Sequence, residues 1–250
     1  MLKKLSITFT FFILIAGCSG SDKSPVDSGL EDGIFHFGNG SEPQGIDPHI
    51  VTGVPEHHIL ISLCEGLTIA NPDGGPNLPG VAESWTISDD GKEYIFYLNK
   101  NAKWSNGEVM TADDFVWSWM RILTASLGSQ YPDMLYYLEG AKKYHTWRSK
   151  EDIKEEIETV EAKIQDINKT EVKTDVMIFE LDNLSKNLIK LSEDLLNHEP
   201  KPSFETVGIK ALDKHTLKIN LKNPTPFFLG LLSHYSTWPV HKETVLKHGS

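Results

Sequence analysis

Cysteine is nearly absent: the 250 residues hold two, Cys18 and Cys64. They allow one bridge at most, so no disulfide framework holds this chain together. Positive charge is also in short supply. Twenty-four Lys and Arg stand against 35 Asp and Glu, for a net charge of −11, and no basic stripe occurs. Nucleic acid is therefore not an expected partner. The patterns Gly-x-Ser-x-Gly and His-Glu-x-x-His are missing, so no hydrolase signature is present and no catalytic residue is expected. Asp89-Asp90 and Asp113-Asp114 read as turn and helix-start residues, not as catalytic pairs. His49, Glu56, His57, His58 and Cys64 come nearest to a metal set. Adjacent His57 and His58 point to different sides of a helix, and no ligand spacing emerges, so no metal or cofactor is expected.

Long apolar runs are missing as well. The run from Ile7 to Ala16, preceded by Lys3 and Lys4, is short for a mature membrane span, and its flanks are those of a signal peptide, assigned to residues 1–17. It ends in Ile15-Ala16-Gly17-Cys18, which resembles the lipobox of bacterial lipoproteins. That resemblance implies cleavage before Cys18 and lipidation of its thiol. Two or three acyl chains anchor stably, since each buried CH₂ contributes about 0.8 kcal/mol. A plain secretory signal is the alternative, and both readings place the protein outside the cytoplasm. A lipid on Cys18 leaves Cys64 unpaired. Cys64 follows Ile59, Leu60 and Leu63, a setting that predicts a buried, inert thiol. Residues 18–32 are polar and aperiodic and read as a flexible tether.

Beyond the tether, Ile34-Phe35-His36-Phe37 is a short β-like run. Pro55 suits the first turn of a helix that stops near Gly66. Ser84–Ile87 and Tyr94–Leu98 flank Asp89-Asp90-Gly91-Lys92 as a hairpin, with Tyr94, Phe96 and Leu98 on one face. Thr111 caps a helix that carries Phe115, Trp119 and Ile122 on one side. A second hairpin pairs Thr206–Lys210 with Thr216–Leu221, and Thr225-Pro226 starts a short helix from Phe227 to Leu232.

Glycine and proline disappear between Ser149 and His198. There Ile153, Ile157, Val160, Ile164 and Ile167 alternate spacings of four and three. Met177, Leu181, Leu184, Leu188, Leu191 and Leu195 do the same. Each is an a/d seam, the signature of paired helices. The short joint from Asn168 to Thr174 fits an antiparallel hairpin within one chain; an intermolecular coiled coil is the alternative.

The motifs outside this segment have a recognisable order. Gly40-Ser41-Glu42-Pro43-Gln44-Gly45-Ile46-Asp47-Pro48-His49 is followed by Gly53-Val54-Pro55-Glu56 and Glu65-Gly66-Leu67. Pro79-Gly80-Val81-Ala82-Glu83-Ser84-Trp85 and Ala102-Lys103-Trp104-Ser105-Asn106-Gly107 come next. Thr111 to Trp119 and Pro224-Thr225-Pro226-Phe227-Phe228 complete the set. Together they resemble the opening of bacterial family-5 extracellular solute-binding proteins, nearest to those that bind oligopeptides. The resemblance implies an α/β, periplasmic-binding-protein-like fold (type II, cluster C), of which this chain is the N-terminal portion. Residues 33–64 would begin lobe I. Residues 65–240 would form a β-rich extra subdomain, with the coiled-coil hairpin inserted at 148–202, and residues 241–250 would return toward lobe I.

A lipid-anchored component of an ABC importer is thereby implied, one that captures short peptides and delivers them to a permease complex. By the same resemblance, Thr52, Gly53 and Val54 match a segment that hydrogen-bonds a peptide backbone. Such pairing satisfies an extended chain without reading its sequence. Gly53 allows close approach, and Thr52 stands where an acidic residue is common. Tyr131 matches an aromatic that faces ligand, and His234 a pocket histidine. The alternative is a truncated, non-transporting lipoprotein that contacts another protein through residues 149–198.

Overall fold

The computed structural model describes residues 23–249. The expected signal peptide (1–17) and the lipid attachment at Cys18 lie outside these residues. Within them the chain divides into two units between Glu42 and Pro43.

In the first unit, helix α1 (Pro25–Asp32) replaces part of the expected tether. Ser24 and Asp27 explain it: each side chain satisfies the other's backbone N–H, a capping box closed by Pro25 in the first turn. The expected β-like run at Ile34–Phe37 is not a strand. A strand exists only as part of a ladder. None of the described strands pairs with this run, and Ile34, Phe35 and Phe37 stand exposed.

The second unit opens with helix α2 (Val54–Leu63), with Pro55 in its first turn. Cys64 is exposed, not buried as expected. The reason is that α2 carries apolar residues on all sides but buries only Glu56 and Leu60, leaving Ile61 and Leu63 in the open. Strands β1 (Thr68–Ile69) and β2 (Leu78–Pro79) then pair briefly.

The main sheet comprises β3 (Ala82–Ile87), β4 (Glu93–Leu98), β5 (Ile209–Asp213) and β6 (Thr216–Asn220). It is antiparallel throughout, in the order β3-β4-β6-β5. Gly91, at φ 67°, supplies the left-handed turn residue of the first hairpin. Tyr94 lies opposite Ile219 and Phe96 opposite Leu217, so period-two burial on β4 and β6 builds one apolar face. The second hairpin starts three residues later than expected. A 3₁₀ turn takes up Phe204–Thr206, and Gly208 sits where a Cβ would strike the Asn220 carbonyl.

Helix α3 (Ala112–Ile122) covers the apolar face, its start fixed by a Thr111–Asp114 capping box. Phe115, Trp119 and Ile122 are fully buried there, with Leu135, Leu138 and Phe228 closing the core. Short helices α4 (Ala141–His145), α7 (Phe228–Leu231) and α8 (Lys242–His248) complete the unit.

Between α4 and β5 stand two long helices, α5 (Lys150–Lys169) and α6 (Asp175–Leu196). They run antiparallel: Arg148, just before α5, bonds Asp194 near the end of α6 at 3.3 Å, and it also pairs with Glu156. Ile153, Val160 and Leu191 are buried between them, with Ile157, Ile164, Leu184, Leu188 and Leu195 packed around. At the root, the Trp147 indole N–H donates to the Glu199 carbonyl at 3.0 Å, and Lys143 pairs with the Glu199 carboxylate.

Candidate functional site

Two segments distant in sequence meet beside α3: residues 47–57 and residues 234–240. A buried polar network joins them. The Arg121 guanidinium, on α3, grips Asp47 with two hydrogen bonds of 2.6 and 3.0 Å and donates to His49 Nδ1 at 2.8 Å. Arginine cannot accept a proton bond, so His49 Nδ1 is the acceptor and its proton resides on Nε2. That Nε2–H donates to the Trp238 carbonyl at 2.8 Å. Burial first, then the Arg121 charge, lowers the His49 pKa to about 4, so the ring is neutral near pH 7. Burial opposes ionisation of Asp47, but the Arg121 hydrogen bonds and charge outweigh it and hold the carboxyl below its usual range. Residues 236–240 are fastened to the same helix. Trp119 Nε1–H donates to Thr237 O at 2.8 Å, and the Val240 N–H donates to Ser118 Oγ at 3.0 Å.

On this base the sequence-derived residues take their places. Tyr131 and His234 are brought together, half-buried and edge to face, with centroids 5.3 Å apart at 72°. Thr52 and Val54 are exposed, and Gly53 is half-buried. The link between the two groups is Tyr235, whose hydroxyl donates to the Val51 carbonyl at 3.2 Å. Its ring also meets His234 at 4.3 Å, His57 at 5.5 Å and Tyr131 at 6.3 Å. Burial, then the neighbouring Tyr131, pushes the Tyr235 phenol up to about 12.

Gly53 is required by a close approach. A Cβ there would fall 1.9 Å from Glu56 Oε2. The buried Glu56 folds back over the glycine and accepts the Gln44 N–H at 2.6 Å. Thr52, just before it, has a backbone N–H and C=O without a hydrogen-bond partner among the described residues. His234 Nδ1 accepts the Ser236 N–H at 3.3 Å, which leaves its proton on Nε2. Burial, with His57 nearby, holds His234 below the ordinary histidine range, which favours that neutral form. The surface thus presents a Thr52 backbone unit with no partner among the described residues, a neutral imidazole, and aromatic rings in edge-to-face and tilted contact. These groups hydrogen-bond and pack; they suit an extended polar ligand.

Tyr235 and Arg121 are absent from the sequence-derived residues, and Asp47, His49 and His57 were given no ligand-binding or positioning role there. Tyr235 follows His234 directly, and Asp47 and His49 lie in the Gly40–His49 motif, so adjacency was the one available signal. His49 has both ring nitrogens engaged in this network.

Comparison with known proteins agrees with this architecture. A model of the bacterial extracellular solute-binding proteins, family 5 middle region, matches residues 78–249. The periplasmic oligopeptide-binding protein of Escherichia coli K12 is 35% identical over 211 residues, which cover 84% of this chain and 29% of that protein. Its counterpart from Salmonella typhimurium is 36% identical with the same coverage. Among solved structures, a periplasmic oligopeptide-binding protein of Borrelia burgdorferi superposes with a TM-score of 0.60 at 28% identity, covering 84% of this chain and 32% of that one. A Haemophilus influenzae relative, solved in complex with the peptide RPPGFSPFR, gives 0.58 at 28% identity, covering 85% and 31%. The chain therefore spans about three tenths of the length of the relatives it matches.

Proposed function

Since the chain belongs to the bacterial extracellular solute-binding proteins of family 5, we propose that it forms the N-terminal portion of a peptide-capturing component of an ABC importer. In this reading Thr52-Gly53-Val54 receives the backbone of a short, extended peptide. Tyr131 and His234 flank it, the first by packing and the second by donating from Nε2. Residues 33–64 begin lobe I, residues 65–240 form the extra subdomain and residues 241–250 return toward lobe I. What supports the reading is the Thr52 backbone, without a partner among the described residues, next to Val51, which a hydrogen bond from Tyr235 ties to the Tyr131–His234 pair. The protein binds its ligand and passes it unchanged to a permease complex.

Calorimetry of the full-length gene product against a mixed library of tri- to pentapeptides tests this directly. Peptide heats are expected, with affinity weakened about tenfold by His234→Ala through loss of one hydrogen-bond donor. Absence of heat across the library sinks the proposal. Attachment to a membrane through Cys18 is a separate part of it. Cys18→Ala is expected to release the exported protein or to leave its precursor uncleaved; a processed variant that stays membrane-bound refutes the lipid anchor.

A further inference from the structure

The apolar residues of α6 face two ways. Leu184, Leu188, Leu191 and Leu195 are spent on α5. On the adjoining flank Ile178, Ile189 and Leu196 remain 54%, 61% and 86% exposed. Their separations of 11 and 7 residues are close to whole numbers of turns, so they stand in line over about 27 Å. A single exposed Leu is unremarkable, whereas an aligned set marks a contact surface. Between the three lie Ser185 and Ser192, whose hydroxyls turn back to the Leu181 and Leu188 carbonyls at 2.7 and 2.8 Å. Those serines leave recesses without free hydrogen-bonding demand, and a shallow apolar groove opens at Leu188, Ile189, Ser192 and Leu196.

Charge selects the occupant. Residues 150–196 contain thirteen acidic and seven basic side chains. Asp175, Asp182 and Glu193 run along the flank of the ridge by helical spacing, with Lys186 and Lys190 beside them; Lys186 is held by Asp182 at 2.6 Å. A second copy of the same hairpin would set acid against acid, and an anionic bilayer would repel it.

We propose that the Ile178–Ile189–Leu196 ridge docks a cationic amphipathic helix of a partner protein. The partner's apolar side chains fill the recesses at Ser185 and Ser192, and its Lys or Arg residues lie against Asp175 and Glu193. This docking is independent of peptide capture.

The test uses the whole chain and two fluorescent 18-residue helices of identical pattern, one of Leu and Lys, the other of Leu and Glu, followed by anisotropy. The Leu–Lys helix is expected to bind, to weaken as salt rises, and to lose about tenfold or more in affinity to I189K/L196K. Both substitutions sit on exposed positions away from α5, so circular dichroism should show unchanged helix content. The D175K/E193K variant is expected to switch preference to the Leu–Glu helix. Failure to bind, equal binding to I189K/L196K, or indifference between the two peptides overturns the proposal. So does ridge-dependent dimerisation in sedimentation, which would make a second copy the occupant, or ridge-dependent binding to phosphatidylglycerol vesicles, which would make it a lipid surface.

Discussion

His49 and Arg121 carry the residue-scale consequences. Native His49 stays neutral down to about pH 4, whereas an unfolded histidine titrates near its ordinary value of 6.5. The unfolded chain therefore binds the extra proton first, and stability is lost as pH falls from 6.5 toward 4. His234, lowered by burial, acts in the same direction, and Asp47 adds a loss at still lower pH because its native carboxyl is held below its ordinary value. The His49 share corresponds to about 3 kcal/mol. Chemical denaturation at a series of pH values should show this decline, and His49→Gln, which takes up no proton, should flatten most of it. An unchanged slope in the variant would assign the effect elsewhere. Arg121→Ala strands Asp47 and removes the donor to His49. It should cost about 2–4 kcal/mol, somewhat less than for a fully buried pair because the Asp47 side chain keeps 32% exposure. A loss under 1 kcal/mol in urea titration contradicts that account. None of this was legible locally: Arg121 reaches Asp47 and His49 across 74 and 72 residues, and His49 reaches Trp238 across 189. Sequence pattern reports on neighbours within a turn or a hairpin, and such contacts lie beyond it.

At the scale of elements the sequence was a better guide where a local device fixes the outcome. The Thr111 cap, the Gly91 turn and the alternation of Tyr94, Phe96 and Leu98 each specify geometry within a few residues, and each is found in place. The failures share a different cause. Ile34–Phe37 has strand composition but no ladder partner among the described strands, and Cys64 has apolar neighbours on a helix that buries only one narrow side. Composition alone does not say which face is covered. The long hairpin offers a sharper test, because its core is separate from that of the sheet. Leu191→Ala, at a site 1% exposed, should destabilise α5 and α6 by about 2–5 kcal/mol. Hydrogen exchange should then quicken across those two helices while β4 and β6 stay protected. Equal loss of protection in the strands would show that the two cores unfold together.

For the whole molecule, the hairpin root matters most. Trp147 and Glu199 are already hydrogen-bonded, so a few Gly and Ser residues in place of 149–198 close a short gap at little entropic cost. The shortened protein should keep a cooperative melt and the near-ultraviolet signal of buried Trp119, while losing the helical signal of α5 and α6. A non-cooperative melt would mean that the hairpin is part of the fold's foundation. One contact has a consequence in time as well as in space. His49 is made early, yet its partner carbonyl at Trp238 is made 189 residues later. As the polypeptide emerges, Asp47 and His49 can be gripped once Arg121 has been made, whereas the Trp238 carbonyl that completes the His49 pair follows only later. The segment proposed to meet the ligand is thus seated in two steps, and between them it is open to attack by proteases and to protection by chaperones.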